Sequence, residues 1–517
     1  GAVMVVKILL LVVFFAGMVA VGISARRHAV SVSGLVLGGR SVGPWLTAFA
    51  YGTSYFSAVV FVGYAGQFGW KYGLASTWIG LGNAAIGSLL AWVVLGRRTR
   101  IMTQHLGSST MPDFFEKRFD SKPLKIVASV IIFIFLIPYT ASIYNGLSRL
   151  FEMAFNIPYA VCVVVMAAFT AVYVILGGYM ATAISDFIQG IIMLFGIVVV
   201  VAAVLSGQGG FMNAVYELAQ LPSDAAPTLG QPGAFTAFFG PDPVNLLGVV
   251  ILTSLGTWGL PQMIQKFYAI RNEKAVRTGT VISTVFAVIV SGGCYFLGGF
   301  SRLFDDPAIY GADGAVVYDS IIPFMLSKLP DILIGIVVVL VLSASMSTLS
   351  SLVLTSSSTL TLDLIKGNLW KNMREESQIR TMRVLIAVFV AVSVLLAINP
   401  PDFIAQLMGI SWGALAGAFL APFLYGIYWK RVTRAAVWAS FACGVGLTVG
   451  NLFFHFIDSA INAGAAAMVL GLVVVPVVSL ITPRQPDKRL QGIFSCYEEK
   501  TVLHKKMVVG TEKDNAE

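Results

Sequence analysis

Apolar residues fill long blocks of this chain, and polar residues gather in the stretches between them. The blocks divide into thirteen segments, at about 4–24, 43–68, 74–96, 123–151, 157–177, 180–207, 244–268, 276–300, 332–364, 381–398, 402–427, 433–455 and 463–482. Segments of this length predict helices that cross a hydrocarbon layer of about 30 Å, which takes about 20 residues. A backbone in lipid must satisfy its own hydrogen bonds, so the predicted fold class is all-α: a polytopic membrane protein with about 13 transmembrane helices. The connection 207–243 carries Glu217, Asp224 and Asp242 but no Lys or Arg, and predicts a short amphipathic helix over 211–221. A second acidic connection, 302–331, holds Asp305, Asp306, Asp313 and Asp319. Residues 1–483 form one membrane domain on this reading, and the polar tail 484–517 is expected to be partly disordered.

Two segments are interrupted. Segment two reads GPWLTAFAYGTSYFSAVVFVGYAG, where Gly52, Thr53 and Ser54 break a wall of bulky residues. Segment seven reads LTSLGTWGLPQM, with Gly256, Gly259 and Pro261 close together. Proline removes a ladder bond and clashes with the preceding turn. Unwound backbone at membrane depth is tolerated where it lines a cavity or is buried in protein. If segments two to six (about 43–207) and seven to eleven (about 244–427) are two repeats, each opens on its own broken helix, the sequence sign of a secondary transporter with inverted repeats.

Segment nine carries the densest chemistry, LSASMSTLSSLVLTSSS over 342–358, with hydroxyls on six of the nine residues 343–351. Ala344, Ser347, Thr348 and Ser351 fall at i, i+3, i+4 and i+7, so they share one helical face. Intramembrane Ser and Thr ordinarily bond back to the i−4 carbonyl and let helices pack closely. Packing needs small residues but not this density of hydroxyls, and a face of neutral oxygens suits a hard monovalent cation. The strongly placed intramembrane acid is Asp186, in LGGYMATAISDFIQG. An acid near the bilayer centre costs roughly 2.5–3.5 kcal/mol on insertion scales, so it normally faces a cavity or an ion. The alternative is a wetted position near the membrane surface, since Gly177 and Gly178 form a turn just before it.

Composition agrees with the pattern: 57% of the 517 residues are hydrophobic and 11% charged, a balance no soluble globular protein needs. The net charge of +9 does not point to nucleic acid. All but five of the 34 Lys and Arg (Lys7, Lys71, Arg149, Arg302 and Lys328) lie in alternate connections or the tail, including a loop from Lys266 to Arg277. The positive-inside rule makes those connections cytoplasmic, with the amino terminus outside and the carboxyl terminus cytoplasmic. The first segment reads as a retained span, because Arg26 and Arg27 follow it instead of preceding it. Four scattered cysteines and four scattered histidines imply neither a disulfide framework nor a metal cluster. No nucleophile–base set, matched acid pair or Walker A sequence accompanies Asp186, so no enzyme is expected. No kinase, nucleotide-binding or receiver-like segment follows the spans.

Five stretches together, LGGRSVGPWLTAFAYGTSYFSA, IPYTASIYNGLSRLFE, GGYMATAISDFIQ, GLPQMIQKF and SASMSTLSS, resemble the sodium:solute symporter family, and most of all its sodium/proline branch. The resemblance runs from about Gly38 through segment eleven. It implies a ten-helix inverted-repeat core of the leucine-transporter type and alternating access driven by the sodium gradient. It also implies a principal sodium site at Thr53, Phe56, Ala344, Ser347 and Thr348, made of backbone carbonyls and two hydroxyls. Some members hold a second sodium, and the matching positions here, Asp186 with Ser347, Ser350 and Ser351, have suitable oxygens. For the solute it implies Tyr139, Trp258 and Gln262, with Ser57 beside the first break. The chain departs from the proline branch at two positions: Tyr55 stands where that branch has an acid, and Val59 where it has tryptophan.

The expected function is sodium-coupled symport of a small organic solute, proline or another amino acid or a small carboxylate, across the plasma membrane. No cofactor is implied beyond sodium as the coupling ion, and the partners are the solute, sodium and the lipid bilayer. A proton-coupled or exchange transporter of the same fold, with Asp186 as proton relay, is the alternative, followed by a membrane sensor or channel without net pumping. No arginine or lysine is expected at mid-depth, so a dianionic solute would lack a countercharge.

Overall fold

In a computed structural model, which describes residues 2–54, 57–225, 228–370, 372–398 and 404–509, the apolar segments fold as helices. Among the described residues the only β pairing is in isolated bridges such as Val42 with Ile270. Nine helices there are long and apolar enough to cross a membrane, and the bent pair Pro243–Trp258 and Pro261–Ala269 makes a tenth. Two of the nine, Val59–Leu106 and Val163–Gly207, run 48 and 45 residues. Each would be about 70 Å long if straight, so each holds more than one crossing. With the amino-terminal helix Ala2–Ser24, the thirteen predicted segments all find a helix.

The breaks fall where the sequence places them. The first broken helix runs Pro44–Thr53 and resumes through Val59–Tyr64 and Ala65–Tyr72. Thr53 and Ser54 both turn their hydroxyls back to the Ala50 carbonyl, at 3.2 and 2.9 Å, and so cap the end of its first half. The second broken helix bends by 41° between Trp258 and Pro261. Pro261 starts the Pro261–Ala269 half, where its missing N–H costs nothing, and Leu260 before it is extended as a pre-proline residue prefers. The run Tyr159–Gly207 is divided at Gly178, whose φ of +57° and ψ of −140° are open to glycine alone. A Cβ there would stand 2.5 Å from the Leu35 carbonyl oxygen.

The serine-rich helix Asp331–Thr359 sits at the centre, packed on Tyr159–Gly207 and Lys122–Ala154. At the end of the bundle that carries the basic connections, two arginines tie the second broken helix down. Arg40 donates to the Tyr268 and Ser108 carbonyls at 2.9 and 2.6 Å, and Arg100 to Ile270 and Arg271 at 3.0 and 2.6 Å. These bonds occupy carbonyls that the helix end leaves without intrahelical donors. The connection after Gly207 forms the predicted amphipathic helix, Phe211–Ala219.

Within the tail, the described residues 484–509 include a docked segment. Asp487–Val509 is helical, and its first turns dock on the bundle. Buried Arg118 donates to the Gly426 and Trp429 carbonyls and to Gln485 Oε1 at 2.7, 3.0 and 2.9 Å, and lies against the Phe494 ring. Arg98 lies between the Tyr428 and Tyr497 rings. Cations over aromatic faces give a polar segment a docking energy that hydropathy does not record.

Candidate functional site

The first broken helix, the serine-rich helix and Tyr159–Gly207 meet where Thr53, Ser347 and Asp186 converge. All three are buried, with Asp186 at 0% exposure, so the wetted alternative for this acid does not hold. Ser347 Oγ donates to Asp186 Oδ1 at 2.6 Å and lies 2.8 Å from Thr53 Oγ1. Thr53 Oγ1 is in turn 3.2 Å from the Ala50 carbonyl. Two hydroxyl protons thus serve three short contacts among oxygens. Asp186 Oδ2 adds a buried acceptor with no donor among the described residues. A dry cluster with more acceptors than protons is one that a cation stabilises.

The other predicted ion ligands are distributed unevenly. Thr348 Oγ1 donates to the Ala344 carbonyl at 3.1 Å, so these two lie together on the face that holds Ser347. Phe56 lies outside the described residues. Ser350 turns back to the Ser347 carbonyl at 2.9 Å and gives its proton to its own helix. Ser351, one turn beyond Ser347, is 3.4 Å from Lys266 Nζ.

Lys266 corrects the sequence reading. The expectation put it in a basic connection. It is instead 2% exposed on the Pro261–Ala269 helix, and its ammonium also donates to the Gln262 carbonyl at 2.9 Å. Lys266 reaches Ser351 and Asp186 reaches Ser347, so the two charged side chains flank one turn of the serine-rich helix.

The predicted solute contacts separate into two groups. Tyr139 is buried, faces Ser57, and meets Trp412 edge to face with ring centroids 6.0 Å apart. Trp412 was not foreseen; it packs so closely on the second break that a Cβ on Gly256 would lie 2.7 Å from its ring. Trp258 lies at the same break, but its indole N–H is given to the Ile86 carbonyl at 2.9 Å. Gln262 is buried, and its Oε1 has no hydrogen-bond partner among the described residues. The two groups are thus joined by Trp412 and the unwound turn.

At the basic end of the serine-rich helix lies a cavity of about 310 Å³. Thr110 donates there to the Asp363 carboxylate at 2.7 and 2.9 Å, and Lys125 bridges Asp113 and Glu116 at 3.3 and 3.1 Å. The Thr110 pair ties that end to the cap of Met111–Phe119, and the Lys125 pairs hold Met111–Phe119 on Lys122–Ala154.

The model of the sodium:solute symporter family matches residues 35–444 of this chain. The osmoregulated proline transporter OpuE of Bacillus subtilis is 28% identical over 497 residues, covering 94% of this chain and 97% of its own. The sodium/proline symporter of Escherichia coli is 28% identical over 447 residues, covering 84% and 86%. Among solved structures, a sodium-coupled sialic acid symporter in a substrate-bound, outward-open state superposes with a TM-score of 0.76. It is 17% identical and covers 92% of this chain and 98% of its own. Mhp1, a nucleobase-cation-symport-1 family transporter, gives 0.51 at 13% identity, covering 89% and 97%. At these identities the two structures speak for the fold alone, a multi-pass helical bundle.

Proposed function

This chain belongs to the sodium:solute symporter family, and from that we propose that it carries a small organic solute, an amino acid such as proline or a small carboxylate, into the cell with sodium across the plasma membrane. The observation that carries this reading is the buried Thr53–Ser347–Asp186 cluster, where three helices contribute oxygens and protons are fewer than contacts. Sodium would be held by the Thr53 and Ala344 carbonyls and the Ser347 and Thr348 hydroxyls, with Phe56 supplying a further carbonyl. Bound there, it joins the first broken helix to the serine-rich helix, one from each repeat, and so favours one relative position of the repeats. Release of sodium frees that tie, and the Arg40 and Arg100 clamps on the second broken helix are then the contacts to open. The basic end faces the cytoplasm on this reading, with the amino terminus outside.

The solute fits beside the breaks, between Ser57, Tyr139, Trp258 and Gln262, with Trp412 closing the apolar side. An aromatic wall with a few polar groups suits a compact solute with an apolar body and one charged end, and unwound helix ends offer N–H groups to a carboxylate. Similarity to proline transporters supports proline, while Tyr55 and Val59 mark where this sequence differs from that branch.

Reconstituted in proteoliposomes, the protein should accumulate its solute against a gradient only when an inward sodium gradient is imposed. Accumulation driven equally by a proton gradient without sodium would replace this reading with the proton-coupled one. Trp258→Ala should raise the half-saturating solute concentration at least tenfold, about 1.4 kcal/mol of binding, and leave the sodium response at saturating solute unchanged. Solute binding at fixed high sodium checks this, and equal affinities would move the pocket elsewhere.

A further inference from the structure

We propose that Lys266 is a built-in cation for the second ion cradle, so that this chain takes one sodium per solute and Asp186 is answered by the protein itself. The inference rests on the sodium-coupled reading and goes beyond it, because the family resemblance allows a second sodium at Asp186, Ser347, Ser350 and Ser351.

Four observations converge. Lys266 is on the half-helix that follows the second break, yet its side chain reaches the serine-rich helix, with Nζ 3.4 Å from Ser351 Oγ. Asp186 touches the same helix one turn away, through Ser347 at 2.6 Å. Both charged side chains are buried, at 2% and 0% exposure. Ser350, the remaining oxygen of the cradle, gives its proton to the Ser347 carbonyl. An ammonium and a carboxylate therefore stand at the two ends of one turn, with two hydroxyls between them.

The charge balance decides between the readings. An uncompensated buried charge is strongly destabilising, so Asp186 needs a positive partner close by. With Lys266 in place the pair is neutral overall. A second sodium would add a net positive charge to a site closed to water, next to an ammonium that shares Ser351 with it. Sodium at the principal site shares no ligand with the ammonium, because Lys266 Nζ is bonded to Ser351 and the Gln262 carbonyl and not to Thr53, Ala344, Ser347 or Thr348. Lys266 also has a positional consequence: its Nζ is bonded to the Gln262 carbonyl at 2.9 Å, at the start of the half-helix that borders the solute. Movement of that half-helix shifts the cation relative to Asp186, which links the solute break to the ion cradle by a single side chain.

The test is equilibrium binding of radioactive sodium to the purified full-length protein, counted per chain, with monodispersity as the control for folding. Wild type should bind one sodium with a Hill coefficient near one. Lys266→Gln should bind two, the second being lost again in Lys266→Gln with Asp186→Asn, and Lys266→Arg should bind one. Two sodium ions on wild type, or only one on folded Lys266→Gln, leaves sodium coupling standing and overturns the role given to Lys266. No sodium on wild type overturns the coupling reading instead. The wild-type count alone decides the matter if Lys266→Gln is not recovered folded.

Discussion

Ser347→Ala should raise the half-saturating sodium concentration for uptake by about 100-fold, the largest effect expected of any single hydroxyl in this chain. The change removes one proposed sodium ligand. It also removes the donor to Asp186 Oδ1, and Asp186 Oδ2 already lacks a donor among the described residues. Losing a hydrogen bond to a charged group costs about 1.5–3 kcal/mol, and every 1.4 kcal/mol is a factor of ten, so the upper part of that range gives the figure. Thr348→Ala is the internal comparison. Its hydroxyl bonds to the Ala344 carbonyl of its own helix, so it should lose a ligand without stranding a charge, and its shift should be about tenfold. Sodium titrations of uptake, normalised to protein in the membrane, separate the two. Wild-type sodium dependence in Ser347→Ala would remove the cluster from the coupling mechanism, and equal shifts in both variants would remove Asp186 from it.

The sequence was informative wherever a local rule governs the structure. Thirteen apolar segments are legible because lipid forces each crossing to be a helix. The division at Gly178 is legible because a double glycine before an acid is a poor helix interior, and the structure needs positive φ there. Lys266 was misread for a physical reason: hydropathy treats lysine as the end of a span. The hydroxyl this lysine meets, Ser351, is 85 residues away, which no window contains. Trp412 is silent in the same way, since it is one aromatic in an apolar run until Gly256 is found against its ring. One signal was available for each. Lys266 follows Gln262 at i+4 on a half-helix begun by Pro261, and Gly256 leaves room that some large neighbour must fill. The docked tail was hidden because its binding groups are arginines and tyrosines, whose mutual attraction has no place on a hydropathy scale.

Gly69→Val should remove nearly all folded protein from the membrane, a fall of at least tenfold in monodisperse yield. Gly69 lies in the second half of the first broken helix, where a Cβ would stand 1.9 Å from the Gly298 carbonyl oxygen and 2.1 Å from its carbonyl carbon. The contact is reciprocal, because a Cβ on Gly298 would lie 2.1 Å from the Ala65 carbonyl oxygen. Small residues let two helix backbones touch in this way inside a membrane, and that contact is the source of their attraction. Ordinary overpacking costs about 1–3 kcal/mol because side chains can shift. Here the obstacle is backbone, so relief requires the helices to separate along the whole crossing. The same helix Glu273–Gly298 is met by Gly80 at Gly292 and by Gly52 at Phe286, where a Cβ would lie 2.5 Å from the nearest atom in each case. Three glycines of the first repeat thus seat one helix of the second, and that seat fixes where Ser57 and Val59–Tyr64 stand against the serine-rich helix. Gly17→Ala and Gly43→Ala, where a Cβ would meet nothing within 4 Å, should express as wild type. Recovery of Gly69→Val at wild-type yield, measured by size-exclusion of the detergent-extracted protein, would mean that this crossing does not hold the two repeats together.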